Sequence, residues 1–219
     1  SGETIWASTP GGLAFDTTYS TPIISEVGGT RLLIAGGGDG AVHALQPQTG
    51  RPVWNFAMSK RGINAGVVLA GGRAFVSHSE ENLDTNEMGL LAAIDATRTG
   101  TLGSDAVAWQ VTGFHGGYAS PVIDGDRIYQ VDNSANLAAF DTSSGSKLWE
   151  LNIGTIQRAS PVLADGKLYV GSVTGRFFIL EPSRDGVKIL SEVQLGTVAE
   201  PEELIGAPAV ADGRVYVIT

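Results

Sequence analysis

The chain has 219 residues, no cysteine, 30 glycines and a formal net charge of −9, with 14 Lys and Arg against 23 Asp and Glu. That charge repels phosphate backbones and anionic lipid, which argues against a nucleic-acid partner, and the lack of cysteine excludes disulfides and thiolate chemistry. No apolar run reaches the length of a membrane-crossing helix and no helical period is sustained for a dozen residues, so short strands joined by glycine turns are expected in one domain, residues 1–219.

Within residues 1–8, Gly2-Glu3-Thr4-Ile5-Trp6 is predicted to be the last strand of a four-stranded unit. Residues 19–59 form a first complete unit. Pro22-Ile23-Ile24 begins one strand, Gly28-Gly29 turns it, Arg31-Leu32-Leu33-Ile34 is the second, Ala41 to Leu45 the third, and a fourth carries Trp54 after a turn at Gly50. The run Gly36-Gly37-Gly38-Asp39-Gly40 lies between two strands, with no Lys-Ser or Lys-Thr and no helix after it, and is a hairpin turn rather than a phosphate loop. Residues 64–113 repeat the pattern without the proline, from Ala65 to Val76, then Leu90 to Asp95, Gly100 and Trp109, with insertions at 77–89 and 100–106. Residues 118–154 open on Ala119-Ser120-Pro121-Val122 and continue through Leu137 to Asp141, Gly145 and Trp149. Residues 158–196 open on Ala159-Ser160-Pro161-Val162 and continue through Arg176 to Glu181 and Gly186, with Leu190 expected where the other units have tryptophan. Residues 205–219 supply two strands of a further unit around Ala207-Pro208-Ala209-Val210.

All four tryptophans, Trp6, Trp54, Trp109 and Trp149, fall in one register. A large aromatic at a fixed place in each unit points to docking between neighbours. Four short strands repeating every 40 to 50 residues or so define an all-β fold, a β-propeller of four-stranded antiparallel blades, about four and a half of them present. Because the chain opens and closes inside a unit, it is expected to be part of a larger ring, or else a small ring whose terminal strands share one blade.

The stretch Ala139-Phe140-Asp141-Thr142-Ser143-Ser144-Gly145-Ser146-Lys147-Leu148-Trp149 resembles the docking motif of the quinoprotein-like (pyrroloquinoline quinone repeat) β-propeller family, Ala-x-Asp-x-x-Thr-Gly-x-x-x-Trp, with serine for threonine. Ala44 to Trp54 matches it except that Gln46 replaces the aspartate, and Ala93, Asp95 and Gly100 are kept in the second unit. The resemblance implies one of two functional classes. Some members are periplasmic dehydrogenases holding pyrroloquinoline quinone with calcium and oxidising alcohols or sugars. Others are cofactor-free scaffolds, such as the periplasmic lipoprotein of the outer-membrane barrel-assembly machinery. Repeats specify a fold and leave activity to the site.

Two sites merit weighing. The acidic insertion with His78, Glu80, Glu81, Asp84, Asn86 and Glu87 offers hard oxygen ligands, but Met88 breaks the spacing of a calcium loop, so a solvated loop is the better reading and no metal is assigned. The residue three before each first-strand proline is Tyr19, Tyr118, Arg158 and Ile205, with Asn64 in the proline-free unit. In a propeller these positions line one mouth of the channel. Tyr19, Asn64, Tyr118 and Arg158, with His115 nearby, are therefore candidate ligand-binding residues for a planar anion, set against a polar plug of the channel. No catalytic set is assigned. The leading expectation is a periplasmic or secreted scaffold or protein-interaction propeller without cofactor, contacting protein partners through loop faces or exposed edges. The alternative is a fragment of a pyrroloquinoline quinone-dependent alcohol or sugar dehydrogenase.

Overall fold

Branched and aromatic residues broken every few positions by glycine give nineteen short strands among the described residues. Among the described residues the one helical element is the 3-10 turn Ser104–Ala106. The computed structural model describes residues 2–219, which divide into two compact units, residues 2–114 and His115–Thr219.

In the first unit, β1 (Ile23–Val27), β2 (Thr30–Gly36), β3 (Ala41–Leu45) and β4 (Pro52–Ala57) pair antiparallel in chain order. The next sheet uses β5 (Val68–Ala70), β6 (Arg73–Glu81) and β7 (Met88–Asp95), then skips β8 (Gly100–Thr101) and ends on β9 (Val107–Thr112). The insertion at 77–89 thus largely prolongs the β6–β7 hairpin. The insertion at 100–106 does something the sequence did not announce: β8 crosses to the first sheet and adds to β4 in parallel, Trp54 opposite Gly100 and Asn55 opposite Thr101.

In the second unit, β10 (Val122–Asp124), β11 (Arg127–Val131), β12 (Asn136–Asp141) and β13 (Lys147–Asn152) form one four-stranded sheet. Another is formed by β14 (Val162–Ala164), β15 (Lys167–Gly171), β16 (Arg176–Pro182) and β17 (Val187–Gln194). A two-stranded sheet of β18 (Ala209–Ala211) and β19 (Arg214–Tyr216) follows. The chain is all-β, with the four-stranded antiparallel sheets of propeller blades. Residues 2–8 carry no regular strand, so the last strand expected there is not formed.

Every complete sheet has a register shift at the same place, between Ala44 and Leu45, Ala93 and Ile94, Ala139 and Phe140, and Ile179 and Leu180. A bulge inserts one unpaired residue into the outer strand, here Val53, Ala108, Leu148 and Leu190. The tryptophans follow it, Trp54 opposite Ala44, Trp109 opposite Ala93 and Trp149 opposite Ala139. This corrects the expectation for the fourth repeat. Leu190 is the bulge residue there, and Ser191, opposite Ile179, occupies the tryptophan position. The cause is the turn: Pro182 still pairs with Val187, so the hairpin closes later than in the other repeats and counting from glycine slips by one.

Each unit has its own core. Leu32, Ile34, Val42, Ala44 and Trp54 of the first sheet pack with Ala74, Val76, Ala92 and Ile94 of the next. In the second unit Tyr129, Val131, Leu137 and Ala139 pack with Leu168, Val170, Phe178 and Leu180. Both clusters join facing sheets, so a single blade would leave one apolar face wet.

Candidate functional site

The segments entering the first strands lie at one end of their sheets, and side chains tie them down. In the first unit, residues 11–18 run as a strap over the β2–β3 turn. Phe15 and Asp16 amides donate to Gly38 O at 2.8 and 3.1 Å, and the Gly12 amide donates to Asp39 Oδ2 at 2.9 Å. His43 Nε2 lies 3.0 and 3.1 Å from the two Asp39 oxygens. Burial pushes the Asp39 carboxyl up, but His43 and the Gly12 and Ala41 amides outweigh it and hold the group below its ordinary value. The strap delivers Tyr19, whose amide donates to Asn64 Oδ1 at 3.1 Å while its ring stays exposed. The structure therefore brings Tyr19 and Asn64 together.

In the second unit two glutamines that are buried in otherwise apolar surroundings organise the equivalent segments. Gln157 Nε2 donates to Ala159 O at 2.7 Å and Gly171 O at 2.8 Å, and its amide donates to Asn133 O at 3.1 Å. Gln130 Nε2 donates to Ala119 O. The Ser120 amide donates to Ser160 Oγ at 2.8 Å, so the two Ala-Ser-Pro segments bond directly to each other. With Gln157 buried, its neighbour Arg158 is turned outward, and its guanidinium sits 5.0 Å from the centroid of the Tyr118 ring. Such a stack holds the cation in place with its N–H edge available to an anion. His115 is exposed, and its carbonyl accepts from Gly117 and Asn133 amides at 3.1 and 2.9 Å. The five candidate residues thus resolve into the pair Tyr19 and Asn64 in one unit and the Tyr118–Arg158 stack beside His115 in the other.

Sequence reasoning missed Gln130, Gln157 and the Asp39–His43 pair. The signal available for Gln130 was a lone amide inside the apolar strand Ile128-Tyr129-Gln130-Val131, whereas Gln157 sits in a loop with no such signal. His78 is buried, and burial holds its imidazole down to about 4, opposed by backbone bonds at Met58 and Glu80, so it is neutral at pH 7. Among the described residues no group of three or more His, Asp or Glu side chains gathers to hold a metal.

Two of the tryptophans, Trp6 and Trp149, meet the following repeat's outer hairpin turn. Trp6 Nε1 donates to Pro47 O at 2.9 Å, and Trp149 Nε1 donates to Ser183 O at 2.8 Å. Gly50, at φ +68°, lies flat against the Trp6 indole, where a Cβ would overlap the ring. Trp109 lies 5.8 Å from Phe75 and Trp149 lies 5.7 Å from Tyr129, centroid to centroid, each pair within one sheet.

The profile of the family described as outer membrane protein assembly factor BamB matches residues 1–177. Two curated proteins of that description are similar in sequence. The one from Salmonella typhimurium is 28% identical over 207 residues, covering 85% of this chain and 47% of its own length, and the one from Legionella pneumophila is 24% identical over 202 residues, covering 91% and 48%. The chain therefore spans about half the length of the curated relatives it matches. The crystal structure of BamB from Moraxella catarrhalis superposes with a TM-score of 0.67 at 19% identity, covering 99% of this chain and 60% of that one. A quinohemoprotein alcohol dehydrogenase from Pseudomonas putida superposes with a TM-score of 0.53 at 14% identity, covering 78% and 34%. At such identities both structures speak to the fold alone.

Proposed function

The chain belongs to the family described as outer membrane protein assembly factor BamB, and from that premise we propose that it works as a non-catalytic, periplasmic scaffold in assembling outer-membrane proteins. The observation that carries this reading is the family match across residues 1–177, which takes in the first three complete repeats and part of the fourth. The geometry agrees with a binding role. Arg158 stacked on Tyr118 presents a fixed cation on a loop face. A partner bearing carboxylates would meet a charge-assisted donor there.

The test is complementation. A strain of Salmonella typhimurium lacking its own BamB, supplied with the complete protein that contains this sequence, is expected to regain normal levels of outer-membrane barrel proteins. Arg158→Ala with Tyr118→Ala is expected to weaken that rescue while leaving the fold intact by circular dichroism. Absence of rescue, together with saturable binding of pyrroloquinoline quinone and calcium that depends on Arg158, would replace the scaffold with a quinone-dependent dehydrogenase.

A further inference from the structure

The insertion at 77–89 has no counterpart in the other complete repeats, whose second and third strands are joined by short turns, and it is fastened at both ends of its loop. Asn82 bridges to Ser59 just past β4, the Lys60 amide donates to Glu81 O at 3.0 Å, and Arg61 meets Glu81 at 3.3 Å. Within the loop, Asn82 Nδ2 donates to Glu87 O at 2.8 Å, Gly89 O at 3.1 Å and Thr85 Oγ1 at 3.3 Å. The two carbonyls accept and cannot donate, so they fix which end of the amide is nitrogen. Asn82 is 4% exposed, and its Oδ1, turned away from those carbonyls, is buried with no donor. A buried acceptor left unmet is costly, and an incoming N–H would relieve it.

Asn82 lines a cleft between the end of β4 and the insertion. Phe56, Leu83 and Leu90 give the cleft apolar walls, and the exposed Asp84 and Gln110 bring a carboxylate and a second amide to it. Residues 79–89 hold the carboxylates Glu80, Glu81, Asp84 and Glu87 and no lysine or arginine. Arg61 pairs with Glu81, and among the described residues no cation lies within ion-pair distance of the other three. Unneutralised negative charge argues against an anionic ligand, and the apolar walls call for a stem. Calcium wants about six or more oxygen ligands, and among the described residues no three such side chains gather.

We propose that this cleft binds a primary ammonium on an alkyl stem, the stem lying against Phe56, Leu83 and Leu90 and the head donating to Asn82 Oδ1 and the Asp84 carboxylate. An ammonium carries three N–H donors and no acceptor, so one head can also serve Gln110 Oε1. Hydrogen bonds from a charged donor to a carboxylate are stronger than neutral ones, which sets an amine above an alcohol of the same shape. A lysine side chain of a protein partner and a free alkylamine share this chemistry. The site goes beyond the scaffold assignment and does not rest on it.

The test takes the complete protein that contains this sequence and three probes of similar shape: n-butylammonium, butan-1-ol, which lacks the charge, and butyltrimethylammonium, which keeps the charge without an N–H. Calorimetric titration is expected to show saturable binding of n-butylammonium at roughly millimolar concentration, about tenfold weaker binding of the other two, and slowed amide exchange over residues 82–89. The exposed substitution Asp84→Asn is expected to weaken binding roughly tenfold and Gln110→Ala about threefold, each with an unchanged melting temperature. Asn82→Ala should abolish binding, and because Nδ2 also fastens the loop, the two exposed variants decide the matter if that protein fails to fold. Tighter binding of a capped lysine peptide than of 1,5-diaminopentane would assign the natural ligand to a protein partner, and the reverse order to a free amine. Equal binding of butan-1-ol or of the trimethyl probe, indifference to Asp84→Asn and Gln110→Ala, or absence of saturation would each overturn the proposal. Successful complementation beside any of those results would leave the scaffold assignment standing while this site falls.

Discussion

Arg184 Nη2 lies 2.6 Å from Asp141 Oδ2 across 43 residues of sequence, and its Nη1 lies 2.7 Å from Asp126 Oδ2. One guanidinium on the β16–β17 turn thus fastens the β10–β11 turn and the end of β12, which meet at one end of the preceding sheet, beside the turn that receives Trp149 at Ser183 O. Hydrogen bonds from Ser143 and Arg184 to the charged form hold the Asp141 carboxyl well below the usual range, against some opposition from burial. A depressed carboxyl stabilises the fold fully above its unfolded pKa of about 4 and loses that contribution as pH falls through the folded value. Asp141→Asn is expected to lower the denaturant midpoint at pH 7 and to flatten the dependence of stability on pH below 4 or so. Parallel unfolding curves of the two proteins across that acid range check it.

His78 gives a second, separable pH effect. Its folded value of about 4 lies below the ordinary 6.5, so the unfolded chain binds a proton between those values that the native state refuses. Stability is expected to be level above pH 6.5 and to fall by about 3 kcal/mol as pH drops to 4. His78→Leu should remove that limb of the curve, measured by urea titration at successive pH values.

The tryptophan positions should differ in cost. Trp54 is 1% exposed, and Trp54→Ala is expected to destabilise by about 3–5 kcal/mol. Trp149 is only partly buried, so Trp149→Ala should cost less and should also disturb the Ser183 turn. Comparable midpoint shifts for the two would contradict this ranking.

Gly50→Ala combines a left-handed backbone with a clash against an indole. The conformational part alone is worth about 1–2 kcal/mol. Besides the lowered melting temperature, Trp6 fluorescence should shift to the red as the ring leaves Gly50 and Pro47 O for water.

Much of the fold was legible because it is repeated. Ser-Pro strands, glycine turns and the tryptophan register each recur, and recurrence separates signal from chance. What failed depended on turn geometry. The fourth repeat slipped by one residue because its hairpin pairs out to Pro182 and Val187. β8 was invisible because Gly100 and Thr101 pair as a strand only when another sheet's edge meets them. Of the candidate site, the positions of Tyr118 and Arg158 followed from spacing. That they stack at 5.0 Å depends on Gln157 being pulled inward, which no spacing shows.

The crossing of β8 onto β4 also bears on how such a chain is remodelled by duplication and recombination. The first repeat borrows Gly100, Thr101 and Leu102 from the second, so a segment boundary drawn at residue 60 cuts through a shared sheet. Excising residues 64–113, or replacing them with a copy of residues 118–154, would preserve the count of tryptophan motifs and still strip the rim of the blade before it. These two repeats are structurally one unit, whereas the sheet of residues 118–154 lends no strand to its neighbours and is the better unit for grafting.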